Sequence, residues 1–262
     1  MVSQHKARLT QEQIRQYDEL GYVTSLSLFG KDETCELQEK YEEITALLPP
    51  ELPVSRVNWW HKKNKYLYER VCTDSRLLDY VECLLGPNFF LWGSQFFVKE
   101  PGDGTIIPWH QDAQYWPLTP MKAVTAFIAF GDCDRENACM RILPGTHREP
   151  LREHRHAGKD HYILQEEILP NAIEEDQAVY LELKAGQMSL HDDAIAHGSG
   201  PNNSDRRRVG FTMRFSSTDV KCDLNVWPTF AAHLVRGVDE YNYNPVGKIP
   251  TEFDAPDCMR PE

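Results

Sequence analysis

The stretch RRRVGFTMRF, residues 206–215, alternates in character at every second residue. Successive side chains of a β-strand point to opposite faces, so Val209, Phe211, Met213 and Phe215 share one face, and Arg208, Gly210, Thr212 and Arg214 share the other. Arg208 therefore points away from the apolar stripe, into the interior of a barrel or sandwich. A guanidinium there needs an anionic partner, because an unpaired buried charge is prohibitive. A bidentate carboxylate from a bound cosubstrate supplies one.

Three further runs share the character of this strand: FFLWGSQFFVK (89–99), VTAFIAF (124–130) and VYLEL (179–183). They are short, aromatic or β-branched, and punctuated by Gly, Pro, Asn and Asp. Strands so spaced, with long connections, predict a mainly β fold with flanking helices whose core is a double-sheet jelly roll or another β-sandwich. The region before residue 88 reads mainly as helix. Thr10 and Gln13 form a capping-box signature, with Gly21 to end the first helix. A second helix is expected over about 33–48, stopped by Pro49 and Pro50, and a third from Asp74 to the Gly86-Pro87 stop. We expect one domain of 262 residues: a helical cover (1–87), a jelly-roll core (88–216) and a surface-hugging tail (217–262), in which FAAHLVRG reads as a helical turn.

The chemistry concentrates in PWHQDAQYW, residues 108–116. In a strand His110 and Asp112 present an imidazole nitrogen and a carboxylate oxygen to one point, while Gln111 faces away. Two such ligands chelate a divalent metal weakly, and His197 in AIAHGSGPNNSD (194–205) is the candidate third. Two histidines and one carboxylate on one face leave open positions, the arrangement of non-haem Fe(II) oxygenases. A rival pair, His191 with Asp193, follows the same local pattern. Ser199, two residues past His197, is placed to add a hydroxyl to the carboxylate that Arg208 would hold.

The ordered set of His-x-Asp, NACMRILPGTHR (137–148), HGSGPN, and an arginine eleven residues after the histidine of that last motif resembles the phytanoyl-CoA dioxygenase family of Fe(II)/2-oxoglutarate oxygenases. The likeness spans about residues 88–216 and implies that the core is the jelly roll of cupin-like proteins, a double-stranded β-helix. It implies that His110, Asp112 and His197 hold iron and form the catalytic centre, and that Arg208 and Ser199 bind the distal carboxylate of 2-oxoglutarate. Phe127 stands where many relatives carry a tryptophan beside the cosubstrate, and Thr125 on the same face is a further candidate contact. In the same pattern His191 and Asp193 are not ligands. The reaction implied consumes 2-oxoglutarate and O2, hydroxylates an unactivated C–H bond and releases succinate and CO2. Asp112 itself argues against halogenation, since related halogenases carry a small residue in place of this carboxylate.

Tyr115 and Trp116, directly after the metal strand, are expected at the pocket mouth. Asn58 and Trp60 of NWWHKKNK (58–65), and Tyr22, are candidate substrate contacts. Family members act on acyl-CoA esters, amino acids, aminophosphonates and natural-product intermediates. An excess of 40 acidic over 28 basic residues, a net charge of -12, disfavours nucleic acid and anionic membranes and inclines the reading towards a small polar metabolite. Seven scattered cysteines without a CxxC pair, and an opening MVSQHKARLT that lacks an apolar signal core, predict reduced thiols in the cytoplasm. His154 and His156 in LREHRHAGKDH (151–161) read as a mobile loop. Two other readings use the same residues: an oxygen-independent, cupin-like hydrolase or isomerase with Zn²⁺ at the triad, and a catalytically silent binding protein. The sequence leaves the oligomeric state open.

Overall fold

The structure is a computed structural model that describes residues 8–102, 104–158 and 162–251. Cys258 and the rest of 252–262 in the expected tail lie outside the described residues, as do residues 159–161 of the LREHRHAGKDH segment. Helix α1 (Gln11–Leu20) carries the expected capping box. The Gln13 amide donates to Thr10 Oγ1 at 3.1 Å, the Thr10 amide donates to Gln13 Oε1 at 2.9 Å, and Gly21 ends the helix at φ 82°. There follow β1 (Tyr22–Ser27), α2 (Lys31–Ala46), the short helices α3 (Trp60–Lys63) and α4 (Lys65–Leu67), and α5 (Ser75–Leu85). Asp74 caps α5 through the Arg76 amide.

From residue 89 onwards strands dominate. They are β2 (Phe89–Lys99), β3 (Ile107–His110), β4 (Leu118–Thr119), β5 (Ala123–Ala129), β6 (Met140–Ile142), β7 (His154–His156) and β8 (Glu166–Ile168), then β9 (Val179–Leu181), β10 (Gln187–Asp192), β11 (His197–Ser199), β12 (Arg208–Ser217), β13 (Lys221–Cys222) and β14 (His233–Arg236). A large sheet has the order β1-β10-β5-β12-β2-β14, and a small one the order β3-β11-β6-β9. All their pairings are antiparallel. From β2 to β12 the chain passes back and forth between the two, and that winding makes the core a double-stranded β-helix. β1 and β14 extend the large sheet beyond it.

Three sequence expectations change. β1 is a strand in the region read as helical. FAAHLVRG contains β14, not a helical turn, because its backbone completes the edge of β2. The tail therefore contributes to the large sheet. His154–His156 is β7, hydrogen-bonded to β8 with His154 opposite Ile168 and His156 opposite Glu166, so the described part of that segment is a hairpin arm.

The apolar face of β12 packs against the helices. Phe96 of β2 sits at the centre, its ring centroid 4.6 Å from Phe211, 5.3 Å from Tyr41 of α2 and 5.6 Å from Trp60 of α3. Leu77, Leu78 and Val81 of α5 join the same cluster. Each such side chain contributes about 1.5–3 kcal/mol on burial. No helix among the described residues is long and apolar enough to cross a membrane.

Candidate active site

Sheet register sets the opposite face of β12. Arg214 pairs with Thr125 on β5 and Gly93 on β2, and Thr125 pairs in turn with His191 on β10, which pairs with Tyr22 on β1. The row two residues along β12 comprises Ser189, Phe127, Thr212 and Gln95. Of these residues Thr125, Phe127, His191, Thr212 and Arg214 line a cavity whose other wall comes from the small sheet. Gly210 makes room within this layer: a Cβ there would collide with the Phe127 ring. Phe127 lies beneath Arg208, its centroid 5.8 Å from the guanidinium carbon.

β3 ends at His110, yet Gln111 keeps an extended backbone (φ -119°, ψ 124°), so Asp112 emerges on the same side as His110 at the start of a 3-10 turn. His197 opens β11 directly opposite His110. One ligand atom from each of His110, Asp112 and His197 lies within 4.8 Å of the others, and all three residues are buried. His110 donates Nδ1–H to the Pro108 carbonyl at 2.8 Å, and His197 donates its own to the Ile195 carbonyl at 3.0 Å. A carbonyl can only accept, so each neutral ring keeps its lone pair at Nε2, the tautomer a metal requires. Burial holds His197 well below the usual imidazole range, aided by the neighbouring His110. For Asp112, burial pushes the carboxyl upwards. The neighbouring His110, His197 and Arg214 side chains outweigh it, leaving Asp112 below the ordinary carboxylate range. Two imidazole nitrogens and an ionised carboxylate fit a first-row divalent metal such as Fe(II).

Residues around the triad hold it in place. Gln111, fully buried and facing away, donates to the Ala194 carbonyl at 2.6 Å and accepts from the Arg152 amide at 2.8 Å, tying the approach to His197 to the metal strand. The Ala113 amide donates to the Asp193 carbonyl at 2.8 Å. Thr125, expected on the cosubstrate, lines the cavity but gives its hydroxyl to Asp112 Oδ2 at 3.4 Å. The rival pair separates. Asp193 accepts the Ala123 amide and takes no part in the cavity wall, whereas His191 lies in that wall with Nε2 4.0 Å from Asp112 Oδ2. His191 is outside the three-residue metal group. Burial brings its pKa down to about 4.

At the far end of β12 Arg208 is 1% exposed and donates to the Ala138 carbonyl at 2.7 Å. Ala138 belongs to the NACMR segment and takes a left-handed φ of 66°, uncommon for a residue with a Cβ. Ser199 lines the same cavity, its hydroxyl buried and without a hydrogen-bond partner. A buried hydroxyl of this kind calls for a ligand atom or a water.

The expected substrate residues scatter. Trp116 is not in the cavity wall but packs behind it, with the Arg214 guanidinium 5.4 Å from its ring centroid. Tyr115 packs edge-on to His110 at 6.0 Å, but its hydroxyl is committed to the Glu166 carbonyl, so it is no part of the cavity wall. Trp60 is fully buried on the helix side of the large sheet, its apolar surface taken up by Phe96. Asn58 is exposed and bridges to Gln95 through its backbone. Tyr22 packs with Phe127 and Met140 one strand beyond His191. Trp60, Asn58 and Tyr22 are thus removed from the cavity wall. Sequence reasoning passed over Arg214, although the alternation that singled out Arg208 also placed Arg214 on the inner face.

The sequence profile described as phytanoyl-CoA dioxygenase (PhyH) matches residues 17–210. The peroxisomal phytanoyl-CoA dioxygenase of Mus musculus is 27% identical, over 88% of this chain and 75% of its own. A probable alpha-ketoglutarate-dependent hypophosphite dioxygenase of Stutzerimonas stutzeri is 25% identical, over 83% of this chain and 80% of its own. Among solved structures, the apo form of the non-haem monooxygenase ThoJ superposes with a TM-score of 0.76 at 27% identity, covering 92% of this chain and 90% of that one. With the His-x-Asp and His arrangement already in the cavity, the profile match settles the kinship: the chain belongs to the phytanoyl-CoA dioxygenase family of Fe(II)- and 2-oxoglutarate-dependent oxygenases.

Proposed function

We propose that the protein is a dioxygenase that hydroxylates an unactivated C–H bond of a small, polar metabolite or natural-product intermediate, converting 2-oxoglutarate to succinate and CO2. The observation that carries this reading is the sharing of one cavity by the triad and Arg208. His110, Asp112 and His197 would hold Fe(II), which when bound supplies the oxygen activation. Arg208 takes the distal carboxylate of 2-oxoglutarate, with the Ser199 hydroxyl as a second donor. The Phe127 ring and Met140 keep water from the space between. The cavity must hold 2-oxoglutarate as well, so only a compact part of the substrate enters it. Among the described residues Cys35, Cys72, Cys83, Cys133, Cys139 and Cys222 are unbridged, which supports a reducing compartment such as the cytoplasm.

The test is an anaerobic titration of the apoprotein with Fe(II) and then 2-oxoglutarate, watching for the weak visible charge-transfer band of a chelated 2-oxo acid. We expect the band to grow to one equivalent of each. Metal binding without the band sinks the oxygenase reading in favour of oxygen-independent metal chemistry.

A further inference from the structure

Arg214 lies six residues beyond Arg208 on the same strand face, roughly 20 Å of extended chain away. It lines the same cavity, paired across the sheet with Thr125, whose hydroxyl reaches Asp112. Its Nε is buried without a hydrogen-bond partner, and among the described residues Arg214 makes no hydrogen bond or ion pair. Asp112 acts on it electrostatically without pairing. β2 is shaped to admit the side chain: a Cβ at Gly93 would stand 2.9 Å from Arg214 Cδ. Arg214 is half-buried, and a partly desolvated guanidinium without an anion carries a cost that a ligand in the cavity would offset.

Charge balance points the same way. Of the ionisable groups lining the cavity, Asp112 brings one negative charge and Arg208 one positive. Fe(II) and the two carboxylates of 2-oxoglutarate bring that set to zero, with the histidines neutral as metal binding requires. Arg214 is the positive charge left over. Beside it, outside the residues that line the cavity, lies a cluster of tryptophans. The Arg214 guanidinium lies over Trp116, Trp116 meets Trp92 at 4.6 Å, Trp92 meets Trp227 at 5.8 Å, and Trp227 meets the partly exposed Trp59 at 5.9 Å.

We propose that Arg214 anchors an oxyanion of the substrate, a carboxylate or phosphonate, on the far side of the metal site from Arg208, with the Trp116 ring holding the guanidinium from behind. This rests on the Fe(II)/2-oxoglutarate reading of the cavity. It makes the substrate an organic anion, a narrower class than a polar metabolite.

The test uses the anaerobic protein saturated with Fe(II) and 2-oxoglutarate, with propanoate, methylphosphonate and neutral propanamide as probes. Absence of the charge-transfer band before any probe is added defeats the oxygenase reading itself. With the band present, we expect propanoate or methylphosphonate to shift it and propanamide not to. Whichever anion shifts it more identifies the group. In Arg214→Met the band should form at an unchanged 2-oxoglutarate concentration, while the anion response weakens at least about tenfold. Equal responses to anion and amide in the wild type, including none to either, overturn the proposal. So does a loss of Fe(II) or 2-oxoglutarate affinity in the variant, which would make Arg214 a support for Asp112 or an arm of the cosubstrate site. A second readout needs no metal. Replacing an unpaired cation by a side chain of similar length should hold or raise the melting midpoint. A fall of more than about 5 °C would show Arg214 to be a structural brace, and that too overturns the proposal.

Discussion

The two ends of β12 are built from the same pattern and differ in what surrounds them. Arg208 is closed in, with the Ala138 carbonyl on one side, the Phe127 ring beneath it and the Ser199 hydroxyl in the same cavity. Arg214 has an aromatic face over it and no bonded partner. A guanidinium with one donor already fixed and a hydroxyl nearby suits a ligand of constant length, since the carboxylate must arrive at one place. A guanidinium with no donor yet committed suits a ligand whose length varies. One cavity can thus separate an invariant cosubstrate from a substrate by assigning each its own cation.

The largest effect breaks both ends at once. His110→Ala removes a ligand whose Nε2 is kept unprotonated by the bond to Pro108, and Fe(II) affinity should fall by more than the roughly 10–100-fold typical of outer-sphere changes. Metal titration measures it, and retention of near-native affinity would move the site elsewhere. Next in size is Arg208→Lys, which keeps the charge and loses the fork. Fe(II) binding should persist while half-saturation by 2-oxoglutarate rises about tenfold or more. If Arg208→Lys leaves 2-oxoglutarate unaffected and Arg214→Met does not, the assignments of the two ends are reversed.

How much of this was legible depends on whether a signal is local. The alternation in 206–215 survives because β12 is paired on both sides, with its one register shift falling beyond Arg214. β1 lacked that clarity. Ser25 sits at φ 58° and the pairing slips between Val23 and Leu26, which breaks the period-two pattern after one pair of residues. β14 is four residues long and owes its form to the edge of β2 rather than to its own sequence. The triad was readable from His-x-Asp because Gln111 stays extended even though the strand ends at His110. Trp60 was misplaced because α3 has four residues, too few for a helical period to show which side meets the core. Thr125 was on the correct strand face. What it touches depends on how the Asp112 turn is held against Asp193, a contact between residues distant in the chain.

The smallest expected effect concerns His191, and it tests whether the two ends are separate. Its ring lies 4.8 Å from that of His197 and faces Asp112, near enough for a careless reading to make it a fourth ligand. Both ring nitrogens are buried and lack hydrogen-bond partners, so nothing fixes the tautomer as Pro108 and Ile195 do for the other two histidines. A ligand without such a fixed second nitrogen is poorly oriented. His191 also stands in the row of Thr125 and Arg214 rather than near Arg208. His191→Ala should therefore leave Fe(II) affinity within about threefold, below the usual outer-sphere range, and leave the 2-oxoglutarate titration unchanged. A tenfold loss of iron would make the ring part of the metal site. A loss confined to 2-oxoglutarate would show that the cosubstrate reaches across the metal towards Arg214, and the division of the cavity between two cations would fail.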